Sequence, residues 1–80
     1  MESLKELVAR VLDINKENLE DTSSPENISS WDSFNGLMLV SELENNFSVK
    51  FTMDEVLAVK NYGDIKDALR RHDVTSGIGD

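Results

Sequence analysis

Four times along this chain a capping residue stands directly before apolar residues at helical spacing: Ser3, Asp32, Thr52 and Asn61. Short polar side chains of this kind accept hydrogen bonds from the unpaired N–H groups of a helix's first turn. Ser3 with Glu6 and Thr52 with Glu55 have the spacing of a capping box, and Asn61 with Asp64 repeats the device. Four helix starts in so short a chain leave little room for anything but an all-helical fold.

The apolar periods agree with those starts. Over 3–14, Leu4, Leu7, Val8, Val11, Leu12 and Ile14 share one arc, while Lys5, Glu6, Ala9, Arg10 and Asp13 fill the other. Glu6 and Arg10 form a favourable i,i+4 pair. Over 33–46, at about 100° per residue, Leu37, Leu39, Val40, Leu43 and Phe47 fall in one wide arc that also contains Gly36. The opposite side carries Phe34, Asn35, Met38, Glu42 and Asn45. A short third helix is expected over 53–59. A fourth follows Asn61, with Tyr62, Ile65, Ala68 and Leu69 on its buried side. Lys66, Arg70 and Arg71 lie towards its C-terminus, where the helix dipole favours cations.

Between the first two helices, "ENLEDTSSPENISSW" (17–31) holds the only proline and reads as a loop. It is long for a connection within a compact domain, so Leu19, Ile28 and Trp31 are expected to pin it to the core. "FSVKF" alternates like a strand but is short and has no partner. The expectation is therefore an all-α four-helix bundle with a long first loop and a short third helix. Residues 1–72 form the folded domain. Residues 73–80, with two glycines and no periodicity, form a flexible tail.

Eighty residues make one domain with a thin core. There is no cysteine, hence no disulfide, thiolate metal site or cysteine nucleophile. No apolar run approaches the roughly 20 residues that span a bilayer, and the charged, periodic N-terminus is unlike a signal peptide. A cytoplasmic monomer is expected. Sixteen acidic residues against eight basic ones give a net charge of −8. That excludes nucleic acid and disfavours anionic membranes as partners, and suits a basic protein surface.

Little catalytic equipment is present. A serine hydrolase needs a base and an oxyanion hole. The one histidine, His72, sits on the last turn of the last helix, where a solvated role is expected, and there is no G-x-S-x-G elbow. The acidic stretch from Asp21 to Asp32 fails the calcium-loop pattern. No catalytic residue and no metal site are assigned. Asp32-Ser33 leaves two readings. Asp32 merely caps a helix, or Ser33 is an exposed hydroxyl that a modifying enzyme reaches, at a helix start that tolerates a phosphate.

"DSFNGLMLVSELENNFSVKF" resembles the D-S-L/M-x-x-V/L-x-L/F-V/I-x-x-L/I-E-x-x-F signature of acyl carrier proteins. Asp32, Ser33, Leu37, Leu39, Val40, Leu43, Glu44 and Phe47 match in order and spacing, and the likeness runs through nearly the whole chain. The resemblance implies a non-catalytic carrier domain. Ser33 would hold 4′-phosphopantetheine, placed there from coenzyme A by a phosphopantetheinyl transferase. Asp32 would help the transferase recognise the site and can contribute to its magnesium site. Acyl intermediates would travel as thioesters between acyl-loading and acyl-processing enzymes, in fatty-acid, polyketide or related specialised biosynthesis. An aminoacyl or peptidyl carrier uses the same Ser33 chemistry. A small helical interaction domain without cofactor is the alternative of a different class.

Departures from that signature matter. Phe34 replaces the usual leucine, and Asn35, Met38 and Asn45 stand where acidic residues are common, leaving Glu42 as the only charge on that outer row. Phe34, Asn35, Met38, Glu42 and Asn45 are therefore the expected partner-binding face, with Phe34 and Met38 as its anchors, in a specialised carrier with dedicated partners. Trp31 before the Asp is expected to anchor the loop rather than to limit an arm's swing. Gly36 is expected to allow close helix packing rather than to leave room for an acyl chain.

Overall fold

The computed structural model describes residues 3–74. Helix α1 spans Leu4–Leu12, α2 Ser33–Phe47, α3 Met53–Ala58 and α4 Tyr62–Arg71, with a 3₁₀ turn at Lys16–Asn18 inside the first loop. The described residues contain no strand, so the all-helical expectation holds. Of the tail expected at 73–80, residues 75–80 lie outside the described residues, whereas Val74 packs partly buried against the core.

Each helix starts at the residue whose side chain can cap it. Ser3 Oγ accepts the Glu6 N–H at 3.2 Å while the Ser3 N–H donates to Glu6 Oε1 at 3.1 Å. Thr52 and Glu55 exchange the same two bonds at 3.2 and 2.8 Å. Asp32 Oδ1 accepts from the Asn35 N–H, and Asn61 Oδ1 from the Asp64 N–H, each at 2.8 Å. Caps of this kind are worth about 1 kcal/mol each. The helix ends carry weaker local signals. Helix α1 stops two residues short of the expected 14 because Asp13 turns left-handed, with φ 55°, and the Ile14 N–H closes onto the Ala9 carbonyl at 3.0 Å. Ser48 ends α2 the same way, with φ 54°.

The core is built from α1, α2 and α4. Leu4, Leu7 and Leu12 of α1, Leu39 and Leu43 of α2, and Leu69 of α4 are buried, each contributing roughly 1.5–3 kcal/mol by its removal from water. Ala9, assigned to the wet side of α1, is buried as well; its small side chain sits on the flank of a buried sector wider than the apolar period marks. Helix α3 has no buried side chain.

The first loop is held at three levels. Leu19 and Trp31 are buried and Ile28 packs against the same cluster. The Ser30 hydroxyl donates to the Leu12 carbonyl. At its middle the loop lies along the start of α4: the Tyr62 N–H donates to the Ser23 carbonyl and the Gly63 N–H to the Asp21 carbonyl, both at 2.9 Å. Lys66 corrects the dipole assignment. It is nearly buried, its Nζ 2.6 Å from Asp21 Oδ1 and 5.1 Å from the centre of the Tyr62 ring. It ties the loop down rather than serving the helix end.

Candidate functional site

Ser33 is the first residue of α2 and is exposed. Asp32, the cap, spends one carboxylate oxygen on the Asn35 N–H, and its own carbonyl accepts the Gly36 N–H at 2.8 Å. The helix start is therefore fixed on both sides of the hydroxyl. The Asn35 side chain reaches back to the Ser30 carbonyl at 2.8 Å, which fixes the loop that delivers Trp31.

A cavity of about 210 Å³ reaches Ser33. Its walls are apolar: Gly36, Leu39 and Leu43 from α2, Val56 from α3, and Ile65 and Ala68 from α4. Trp31 borders it next to Ser33. The indole is only 7% exposed and belongs to the core, so it does anchor the loop, and it also walls the cavity. Gly36 corrects the close-packing expectation. A Cβ built on it would find a single heavy atom nearby, Trp31 Nε1 at the ordinary distance of 3.9 Å. No neighbouring helix backbone presses there. What the missing side chain leaves is space in the cavity wall.

His72 also corrects its expectation. It is partly buried, and its Nε2 lies 2.8 Å from Glu55 Oε2 while the ring meets Phe51 edge-on at 5.3 Å. Glu55 borders the cavity. Its carboxyl is held below the ordinary value, first by the Thr52 backbone N–H and then by His72, with burial offsetting part of the effect. The pair joins the start of α3 to the end of α4. Glu44 does similar work just before α3, accepting the Phe51 N–H at 2.9 Å. The acid and histidine are thus occupied in holding α3. Among the described residues no group of His, Cys, Asp and Glu is arranged to hold a metal ion.

The expected partner face divides. Phe34 and Met38 are exposed, at 70% and 44%, and Asn45 is exposed beyond them. Asn35 is turned to the loop, and Glu42 pairs with Arg10 of α1 at 2.7 Å. Leu37, placed in the buried arc, is 68% exposed. Only Leu39 and Leu43, about 40° apart on the helix, are buried in α2, and Leu37 lies at the far edge of the arc drawn around them.

A family model described as "Phosphopantetheine attachment site" matches residues 2–69. The solution NMR structure of a holo acyl carrier protein from Geobacter metallireducens is similar throughout. Its TM-score is 0.76 at 26% identity, over 95% of this chain and 93% of that one. No curated protein matches by sequence.

Proposed function

We propose, from the premise that the chain belongs to the phosphopantetheine attachment family, that Ser33 is the attachment point and that the domain works as an acyl carrier. Carriers of this family perform no chemistry of their own. The prosthetic group supplies a terminal thiol on which acyl cargo is held as a thioester. The chain's residues suit such a group. Ser33 presents a hydroxyl to solvent at a capped helix start, and an apolar cavity reaches that residue. This juxtaposition is the observation that carries the reading.

On modification the Ser33 oxygen, giving up its proton, attacks the pantetheine-bearing phosphorus of coenzyme A; the pyrophosphate P–O bond breaks, adenosine 3′,5′-bisphosphate leaves, and the Ser33 oxygen becomes the bridge of a phosphodiester. The helix N-terminus favours the anion that results. Asp32 stands beside it as the residue a transferase reads, already oriented by its bond to the Asn35 N–H. The mostly apolar cavity walls offer an acyl chain contacts that would remove part of it from water. The carrier serves fatty-acid, polyketide or related specialised biosynthesis in the cytoplasm as a monomer, between a transferase, a loading enzyme and acyl-processing enzymes. An aminoacyl cargo is the second reading, and only the loading enzyme separates the two.

The test is intact-protein mass after incubation with coenzyme A, magnesium and a broad-specificity phosphopantetheinyl transferase. The expected result is a gain of one phosphopantetheine unit that Ser33→Ala abolishes without loss of helicity. An unmodified chain, alongside a carrier that is converted, would leave Asp32 as a helix cap and nothing more.

A further inference from the structure

Trp31 is only 7% exposed, and its backbone N–H is bonded to the Ile28 carbonyl at 3.0 Å. Its indole Nε1–H finds no acceptor among the described residues. A buried indole N–H ordinarily has a partner, and one without calls for a reason. Every fully sealed side-chain nitrogen and oxygen among the described residues is hydrogen-bonded, so this N–H is not sealed and opens onto reachable space. That space is the cavity beside Ser33. A Cβ built on Gly36 would lie 3.9 Å from Nε1 with no other heavy atom as near, and both residues line the cavity. The donor therefore faces the gap that the glycine leaves in the wall.

Among the lining residues, polar side chains belong to Trp31, Ser33 and Glu55. The Glu55 carboxylate is taken, Oε1 by the Thr52 N–H and Oε2 by His72. The Ser33 hydroxyl keeps no proton once esterified. The indole is then the donor left for a guest in an otherwise apolar wall. It is neutral and can only donate, so it suits an uncharged acceptor, a hydroxyl or carbonyl oxygen. A carboxylate is disfavoured by Glu55 beside it and by the net charge of −8. A saturated chain laid over Nε1 would strip it of water and return no bond, which costs the desolvation of the donor. A site with a hydrogen bond to give rejects a guest that cannot take it.

We propose that Trp31 makes the cavity selective for acyl chains with an oxygen close to the thioester, of the 3-hydroxyacyl or 3-oxoacyl class, by donating Nε1–H to that oxygen. The proposal rests on Ser33 being the attachment point of an acyl carrier. The place of the oxygen follows from the tether. Trp31 precedes Ser33 by two residues and Gly36 follows it by three, so the donor stands at the Ser33 end of the cavity. Cargo arrives on an arm fixed at Ser33, which keeps the first carbons after the thioester at that end. Leu39, Leu43, Ile65 and Ala68, all buried, offer the rest of the chain only apolar contact.

The test loads the native chain and Trp31→Phe with octanoyl, 3-hydroxyoctanoyl and 3-oxooctanoyl groups, each transferred with the arm from its coenzyme A thioester by a broad-specificity transferase. One readout is the proton–nitrogen NMR signal of the single indole N–H. The other is the rate of thioester cleavage by hydroxylamine, relative to the same acyl group on free pantetheine. In the native chain both oxygenated cargoes should move the indole proton downfield and slow its exchange with water by about fivefold or more, and octanoyl should do neither. Their thioesters should be protected by about fivefold or more beyond octanoyl, and in Trp31→Phe all three should agree within about twofold. An indole signal that moves equally with all three cargoes, or already on attachment of the arm alone, would overturn the proposal by giving the bond to the thioester or to the arm's amides. Equal protection of the three cargoes in the native chain would overturn it too, and both of these comparisons stand whether or not Trp31→Phe keeps its helicity. A native chain that gains no mass would overturn the attachment reading itself, and this proposal with it.

Discussion

Replacing Gly36 by Ala should make the protein more stable and the cavity smaller. Within a helix, alanine is favoured over glycine by about 1 kcal/mol, because glycine loses more backbone freedom on folding. The usual reasons for keeping a glycine are absent. The position is regular α-helix, with its N–H bonded to the Asp32 carbonyl at 2.8 Å, and the added methyl would meet only Trp31 Nε1 at 3.9 Å. The expected gain is about 0.5–1 kcal/mol, read as a higher urea midpoint at unchanged m-value and a rise in Tm of about 3–8 °C. Gly63 supplies the contrast. A Cβ there would lie 3.3 Å from both Asn61 Oδ1 and the Asp21 carbonyl oxygen. One is the cap of α4, and the other is backbone that Gly63 itself bonds. Gly63→Ala should therefore destabilise. A loss of more than about 0.5 kcal/mol at Gly36, or an equal gain at both glycines, would refute the reasoning, which uses helix propensity as its baseline and the neighbouring atoms as its only correction. If Gly36 is kept for space, the stabler variant should bury a long acyl chain less well, a trade of stability against function.

Asp32→Ala should cost about 1 kcal/mol in urea unfolding and Asp32→Asn much less, since either amide or carboxylate oxygen can cap. Leu39→Ala, in the buried sector of α2, should cost about 2–5 kcal/mol in the same assay. Asp21→Ala strands the nearly buried Lys66 ammonium and should cost about 1–3 kcal/mol, with limited proteolysis appearing first in the loop 17–31. Glu55 sets part of the acid response. Its carboxyl is held below the ordinary value in the folded state, so the unfolded chain binds its proton more readily. The resulting stability is complete above the ordinary value and is lost as pH falls through the lowered one. Comparing urea midpoints at about pH 6 and about pH 3.5, Glu55→Gln should show a smaller acid loss than the native protein; an identical slope would remove Glu55 from the account.

The helix starts were legible because capping is local: a side chain reaches an N–H three residues on, and Ser3, Asp32, Thr52 and Asn61 all do so. The width of a buried sector is not local. Leu37 came out exposed and Ala9 buried because burial depends on what the rest of the chain lays against each face, and α3 leaves the outer side of α2 bare. The α1 end carries no such sequence signal, because Asp13, not glycine, takes the left-handed turn. His72 with Glu55, and Arg10 with Glu42, are polar residues 17 and 32 positions apart. No periodicity pairs such residues, and only the folded topology brings them together. At the site, Asp32 and Ser33 could be read from a contiguous motif, whereas the cavity behind them is assembled from three helices and the loops that join the four helices. Gly36 was its only local trace.

Trp31 gives that site an optical voice. It is the chain's single tryptophan, shielded from solvent and set in the wall of the cavity beside Ser33. All indole fluorescence from this protein therefore originates at one known place. In the native state the emission should be that of a buried ring, and unfolding should shift it to the red. If an acyl chain enters the cavity, the ring's surroundings should change, and intensity and quenching by iodide or acrylamide should report it without a label. The residue that closes the loop onto the core is thereby also the natural reporter for testing whether cargo enters the cavity, in the protein as it stands.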